Sequence, residues 1–275
     1  MKTTNVMRGS VLAVIAGLAS IGSSAALADT FVVTPTQTFG WTFAQEGTTA
    51  GGTAFVDGPG TPPMGTGSAQ LTAPLPTDGP ILFKADYQGT KFVDITALQY
   101  STYRTSPPTG PLAIALQFNV DSDLTDANTS FQGRLVFEPH LTPATVNTGA
   151  WQTWDTLQGK WWGTGAPIPT RPFAQLCPQS NPCTWAQVTA NWPNGGIHAV
   201  QGAVIFKAGS GWAGFDGNVD AFTIAANGST DTYDFNLHST ATDKDQCKNG
   251  GFKNFNPPSG PYKNQGQCVS ATNQQ

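Results

Sequence analysis

Only two glutamates occur in the 275 residues, Glu46 in FAQEGTT and Glu138 in LVFEPHL. Glycosidic bonds are ordinarily hydrolysed between two carboxyl groups, one acting as acid and the other as base or nucleophile. Glu46 and Glu138 are therefore the candidate pair for catalysis, provided that folding sets them across one cleft. Aspartates offer a different chemistry. Asp216 and Asp220 in FDGNVD, and Asp121, Asp123 and Asp126 in DSDLTDAN, supply hard oxygen ligands of the kind calcium takes, roughly six to eight at a time. The second loop is not an EF-hand, because Asp126 stands at the glycine position and no glutamate closes the motif. One structural calcium is the cofactor this pattern admits; no other is expected. A third chemistry is stacking. WQTWDTLQGKWW places Trp151, Trp154, Trp161 and Trp162 close together, and YSTYR adds Tyr100, Tyr103 and Arg104. Read as a hairpin turning at Gln158-Gly159, the segment sends Trp151 and Trp154 to opposite faces, and likewise Trp161 and Trp162. Half of these rings then belong to the core. The outward half, extended by Tyr100, Tyr103 and Arg104, forms a platform on which sugar rings stack.

The elements that position these residues are mostly strands. In LAIALQFNV, residues 112–120, Leu112, Ile114, Leu116, Phe118 and Val120 share one face, while Ala113, Ala115, Gln117 and Asn119 share the other. Similar alternation is predicted over residues 40–43, 95–103, 134–138, 151–157, 203–207, 219–224 and 232–236, with Gly, Pro, Asn and Asp clusters between them. In VIFKAGSGWAGFDGNVDAFTI, DGN reads as a turn leading into a strand through Val219, Ala221 and Thr223. Residues 183–193, capped by Thr184, are the one predicted helix. Many strands and one short helix imply an all-β, two-sheet antiparallel β-sandwich of the jelly-roll kind.

The amino terminus has the form of an export signal over residues 1–28. Lys2 and Arg8 precede an apolar run at 11–21, and Ala26-Leu27-Ala28 ends it with cleavage expected after Ala28. That run is too short to span a membrane. Without Lys2 and Arg8, eleven basic residues remain against seventeen acidic ones, a formal charge of −6. No basic patch stands out, so nucleic acid is not an expected partner. The expected location is secreted, extracellular or periplasmic. An even count of four cysteines in that setting implies disulfides, and local spacing favours Cys177 with Cys183 and Cys247 with Cys268. Composition turns polar after Asn236, so residues 29–239 are expected to form the sandwich. Residues 240–275 are expected to form a Gly/Asn/Lys-rich disulfide-tied unit.

Two resemblances bear on function. GGIH and IFKAGSG echo the Gln-Ile-His and Tyr-Phe-Lys-Ala-Gly-x-Tyr strands of jelly-roll alginate lyases, with His198 only nine residues before Lys207. Gly196 stands where that motif has glutamine, no tyrosine follows Gly209, and the arginine-bearing strand is missing. More broadly, residues 38–236 resemble largely uncharacterised exported bacterial jelly-roll domains, distantly like concanavalin-type or galactose-binding-like sandwiches. EGTTAGGTAFVDGPGTPPMGTGSAQL, YSTYR, GRLVFEP, WQTWD, GKWWGT, PCTWAQV and KAGSGWAGFDGNVDAFTI carry that likeness in order. The tail KDQCKNGGFKNF…YKNQGQCV is similar to a short C-terminal unit of many exported bacterial proteins. The resemblance implies export, a sandwich fold and, by analogy, glycan binding.

Three functions fit these residues: a non-catalytic glycan-binding protein, a polysaccharide-active enzyme, and a structural or cell-surface interaction domain. The partner expected is a glycan or cell-surface polymer. A deep cleft holding both glutamates favours the enzyme, and a flat aromatic strip favours binding.

Overall fold

The computed structural model describes residues 27–106, 110–166, 168–209 and 211–273. The segment expected to be an export signal, apart from Leu27 and Ala28, lies outside the described residues. In chain order the strands are β1 (Leu27–Val33), β2 (Thr42–Gln45), β3 (Gly52–Asp57), β4 (Gly67–Ala73), β5 (Pro80–Lys84) and β6 (Ile95–Ser106). They continue with β7 (Ala115–Asp121), β8 (Arg134–Phe137), β9 (Trp151–Asp155), β10 (Lys160–Gly163) and, after helix α1 (Pro172–Leu176), β11 (Cys183–Thr184). Helix α2 (Trp185–Asn191) is followed by β12 (Gly196–Ile197), β13 (Val204–Lys207), β14 (Phe215–Ala226), β15 (Ser229–Phe235) and helix α3 (Gln265–Thr272).

These strands form two packed sheets, the all-β sandwich that the alternation predicts. One sheet has seven strands in the order β1-β15-β14-β4-β3, with β6 along the other edge of β14 and β9 beyond it. The other has eight, β11-β10-β8-β7-β13-β5-β2, with β12 added on β7. Pairing is antiparallel throughout except between β1 and β15, which run parallel. Between the sheets lie Tyr100, Phe118, Phe137, Trp161, Phe206, Phe222 and Phe235, all essentially unexposed. Trp41 anchors one end, its ring against those of Phe206, Phe222, Tyr233 and Phe235 at 5.2–5.8 Å.

Strand order departs from sequence order in ways that matter for the site. β13 pairs with both β5 and β7, strands from much earlier in the chain. The stretch after it leaves that sheet altogether, because β14 belongs to the other one. Asp216-Gly217-Asn218 lies inside β14 rather than in a turn. The alternation predicted for Val219, Ala221 and Thr223 also breaks. Ala221 has φ +52° at a bulge, so Val219, Phe222 and Ile224 are the residues buried. The predicted helix is α2, with Thr184 and Gln187 forming a reciprocal capping box. α1 and α3 are additional.

WQTWDTLQGKWW is not a hairpin. β9 pairs with β6 in the seven-stranded sheet, whereas β10 pairs with β8 and β11 in the eight-stranded one. A single 3-10 turn over Thr156–Gln158 carries the chain across the sandwich. Gly159 permits the crossing, since an added Cβ would stand 2.2 Å from the Phe137 ring.

Both expected disulfides are present, Cys177–Cys183 and Cys247–Cys268. Cys247 and Cys268 join Ala241 and Tyr262 in an apolar cluster separate from the main core. A bridge between Ser239 and Asn256 connects that region to the end of the last strand. Among the described residues no helix is long and apolar enough to cross a membrane.

Candidate functional site

Alternation along β7, β8, β10 and β13 leaves one set of side chains on the outer face of the eight-stranded sheet. Register brings them into a row. Trp162, Val136, Gln117, Ile205, Phe83 and Thr42 stand opposite one another on β10, β8, β7, β13, β5 and β2. Five interstrand steps make this row about 24 Å long. An open groove of about 540 Å³ lies over its first half, with Glu46, Glu138, Trp162, Lys207 and Trp212 among its walls. A second hollow of about 450 Å³ adjoins it and shares Glu46 and Arg134.

An ion cluster marks the junction. Arg134 grips Glu46 through both terminal nitrogens, and Lys207 donates to Glu46 Oε2 at 2.7 Å. Arg134 also donates from Nε to Asn119 Oδ1 at 2.9 Å and from Nη1 to Gln117 Oε1 at 3.1 Å. Glu46 is delivered by the loop between β2 and β3. That loop presses so tightly on residues 77–79 that a Cβ on Gly47 would meet Thr77 O at 2.2 Å. Burial opposes ionisation of Glu46, but the hydrogen bonds and charges of Arg134 and Lys207 prevail and hold its carboxyl at about 2. At Trp162, Nε1 donates to Glu138 Oε2 at 3.0 Å, fixing the indole against the carboxylate. Trp212 is laid along Gly209, where any side chain would collide with its ring at 2.8 Å. The groove thus combines a half-buried indole with carboxylates, amides and cations on rigid strands, the makings of a polar ligand seat.

Both glutamates predicted to act together do line this one groove. The aromatic platform does not form as one surface. Of its seven residues, Trp162 alone borders the groove. Trp154 and Trp161 are buried, with Nε1 donating to Thr102 Oγ1 at 2.8 Å and Thr156 O at 2.9 Å. Tyr100 is 0% exposed and donates to Ile114 O. Arg104, 8% exposed, is consumed by Thr148 Oγ1 and the carbonyls of Gly110, Leu112 and Val146. Trp151 and Tyr103, 5.6 Å apart, sit on the outer face of the other sheet, where Trp151 Nε1 donates to Pro59 O. The cause is the crossing after β9, which places the two halves of the tryptophan cluster in different sheets.

The lyase-like pair also separates. Lys207 is in the groove, but His198 is 1% exposed. Its Nδ1 accepts from the backbone of Val200 and Gln201, which leaves the proton on Nε2, 3.8 Å from Asp121 Oδ2.

The aspartates are held by protein donors. Asp121 accepts from Gln132 Nε2 and its own Asp123 N, while Asp123 and Asp126 each accept from the backbone two residues on. Asp216 accepts from Gln70. Asp220 is fully buried and accepts from Met64 N and Phe235 N. Burial raises Asp220 to about 7 and nearby Asp234 to about 6. Among the described residues no three His, Cys, Asp or Glu side chains are grouped to hold a metal ion.

Gln117, Asn119, Arg134, Val136, Ile205 and Trp212 were not singled out by residue type. For Gln117, Asn119 and Arg134 the signal is the polar face of an alternating strand.

No family model matches the chain, and no curated protein is similar to it. Among solved structures it is similar to the family 11 carbohydrate-binding module of the cellulosomal cellulase Lic26A-Cel5E of Clostridium thermocellum. Identity is 9%, coverage is 68% of this chain and 88% of that one, and the TM-score is 0.38. The family 11 module from the same organism in complex with a β-1,3-1,4-mixed-linked tetrasaccharide gives 9% identity, 68% and 89% coverage and a TM-score of 0.39.

Proposed function

We propose that the protein is an exported, non-catalytic glycan-binding protein that lays a polysaccharide along the outer face of its eight-stranded sheet. The observation that carries this reading is the row from Trp162 through Gln117, beside the Arg134–Glu46–Lys207 cluster. It offers an indole for ring stacking and fixed donors and acceptors for hydroxyl groups, in a groove open along its length. Arg134 and Lys207 are matched around the groove by the two carboxylates of Glu46 and Glu138, which suits an uncharged sugar chain. Two disulfides accord with an oxidising, exported setting.

Affinity electrophoresis through gels containing individual polysaccharides tests the reading. Retention is expected, weakened at least tenfold in Trp162→Ala and unchanged in Trp151→Ala on the opposite sheet. No retention on any polysaccharide, or a loss confined to Trp151→Ala, overturns it.

A polysaccharide-active enzyme is the second reading, favoured by the shared groove of Glu46 and Glu138. In that reading only Glu138 can act as acid. Glu46 is ionised above pH 2 and both of its oxygens are engaged by cations, which also makes it a weak base. New reducing ends that disappear in Glu138→Gln would establish the enzyme in place of the binder.

A further inference from the structure

The outer face of the eight-stranded sheet changes character along its length. Between Trp162 and Gln117 the groove is aromatic and hydrogen-bonding. Beyond the Glu46–Arg134 pair it becomes aliphatic. Ile81, Ala203 and Ile205, at 5%, 6% and 2% exposure, form an apolar cluster of their own with Ala44 and Phe83 packed against it. This cluster is not part of the core, because the residues flanking Ile205, Val204 and Phe206, are the ones pointing between the sheets. It floors the 450 Å³ hollow. The rim carries amides, yet the NH2 group of each is already bonded within the protein. Gln88 donates to the carbonyls of Val200 and Gly202, Asn119 to Gln201 O, and Gln201 to Thr129 O. Gln45 exchanges two hydrogen bonds with Gly51, and Asn119 Oδ1 accepts from Arg134. A sugar ring placed here would find few groups for its hydroxyls. A hydrocarbon group would meet an aliphatic floor, with Val200 61% exposed beside it.

We infer that this hollow seats an acyl substituent carried by the glycan in the groove, and that the preferred ligand is an acylated polysaccharide. The inference rests on the glycan-binding reading. Ile205 is three strand steps from Trp162, so the acyl group sits about 14 Å from the stacked ring. Each methyl or methylene group transferred into the hollow strengthens binding roughly fourfold.

The experiment pairs naturally acetylated xylan, galactoglucomannan and glucomannan with the same polymers after alkaline deacylation, measured by affinity electrophoresis. At least one acetylated form is expected to be retained fourfold or more tightly than its deacylated counterpart. Phe83→Ser, in the floor, and Val200→Lys, at an exposed position where folding is not at stake, bring that ratio towards one. Trp162→Ala weakens both forms alike. Equal retention of both forms, or a ratio unchanged in both hollow variants, overturns the acyl inference and leaves the groove reading standing. Retention of neither form of any polymer overturns both.

Discussion

Replacing Trp161 and Trp162 singly with alanine probes the core and the groove from either side of one peptide bond. Trp161 is 0% exposed and packs on Phe118, Phe137 and Trp185 at 5.2–5.5 Å between ring centres. Emptying such a site costs about 3–5 kcal/mol, and Thr156 O loses its indole donor as well. The total is about 4–8 kcal/mol. For a chain of this size that lowers the melting temperature by roughly 8–32 °C. Trp162 is half-buried at the lip of an open groove, so water fills the space it leaves. Its main loss is the hydrogen bond to Glu138 Oε2, about 1–2 kcal/mol and roughly 2–8 °C. Polysaccharide retention should follow the reverse order: abolished or severely weakened in Trp162→Ala and kept by whatever fraction of Trp161→Ala remains folded. Calorimetric melts combined with affinity electrophoresis of both variants decide the matter. Equal destabilisation by the two changes, or full retention in Trp162→Ala, would refute the assignment of Trp162 to the groove.

Four further outcomes follow from the buried charges, the cross-links and the C-terminal segment. Glu46 titrates at about 2 in the folded protein and 4.5 when unfolded, so its contribution is complete above pH 4.5 and vanishes as pH falls through 2; after allowance for solvent screening it is roughly 1–2 kcal/mol. Glu46→Gln should therefore lower denaturant midpoints at pH 7 and leave them unchanged near pH 2. Asp220 behaves oppositely: raised from 3.8 to about 7, it stabilises fully below pH 4 and loses up to about 4 kcal/mol as pH climbs to 7, so Asp220→Asn should flatten stability over that window in urea titrations. A wild-type stability independent of pH from 4 to 7 would contradict its burial. Reducing Cys177–Cys183 and Cys247–Cys268, which close loops of 6 and 21 residues, should cost about 2 and about 3 kcal/mol. Removal of residues 240–275 should leave cooperative melting of the sandwich intact, because their apolar cluster stands apart from the main core.

Much of the local order is determined by the sequence alone. Leu116, Phe118 and Val120 are buried and Gln117 and Asn119 face the groove because a strand sends successive side chains to opposite faces. Thr184 and Gln187 set the start of α2, and cysteines six and twenty-one residues apart are close enough to pair locally. Three strands, GTAFVD, GSAQLTA and PILFK, left no clear trace. Glycine and alanine dilute the β preference of the first two, and PILFK is short and follows a proline-rich stretch, so pairing with neighbours is what makes them strands. Tertiary structure alone decided which strands became neighbours. Lys207 and Arg134 meet Glu46 because β13 inserts between β5 and β7, and no spacing along the chain announces that insertion. It also divided the tryptophans: a three-residue turn moved the chain from one sheet to the other, so Trp151 and Trp162 face solvent on opposite sides of the molecule. Period and cap are properties of adjacent residues, whereas a site on a sheet is a property of strand order, which the chain sets only by packing its core.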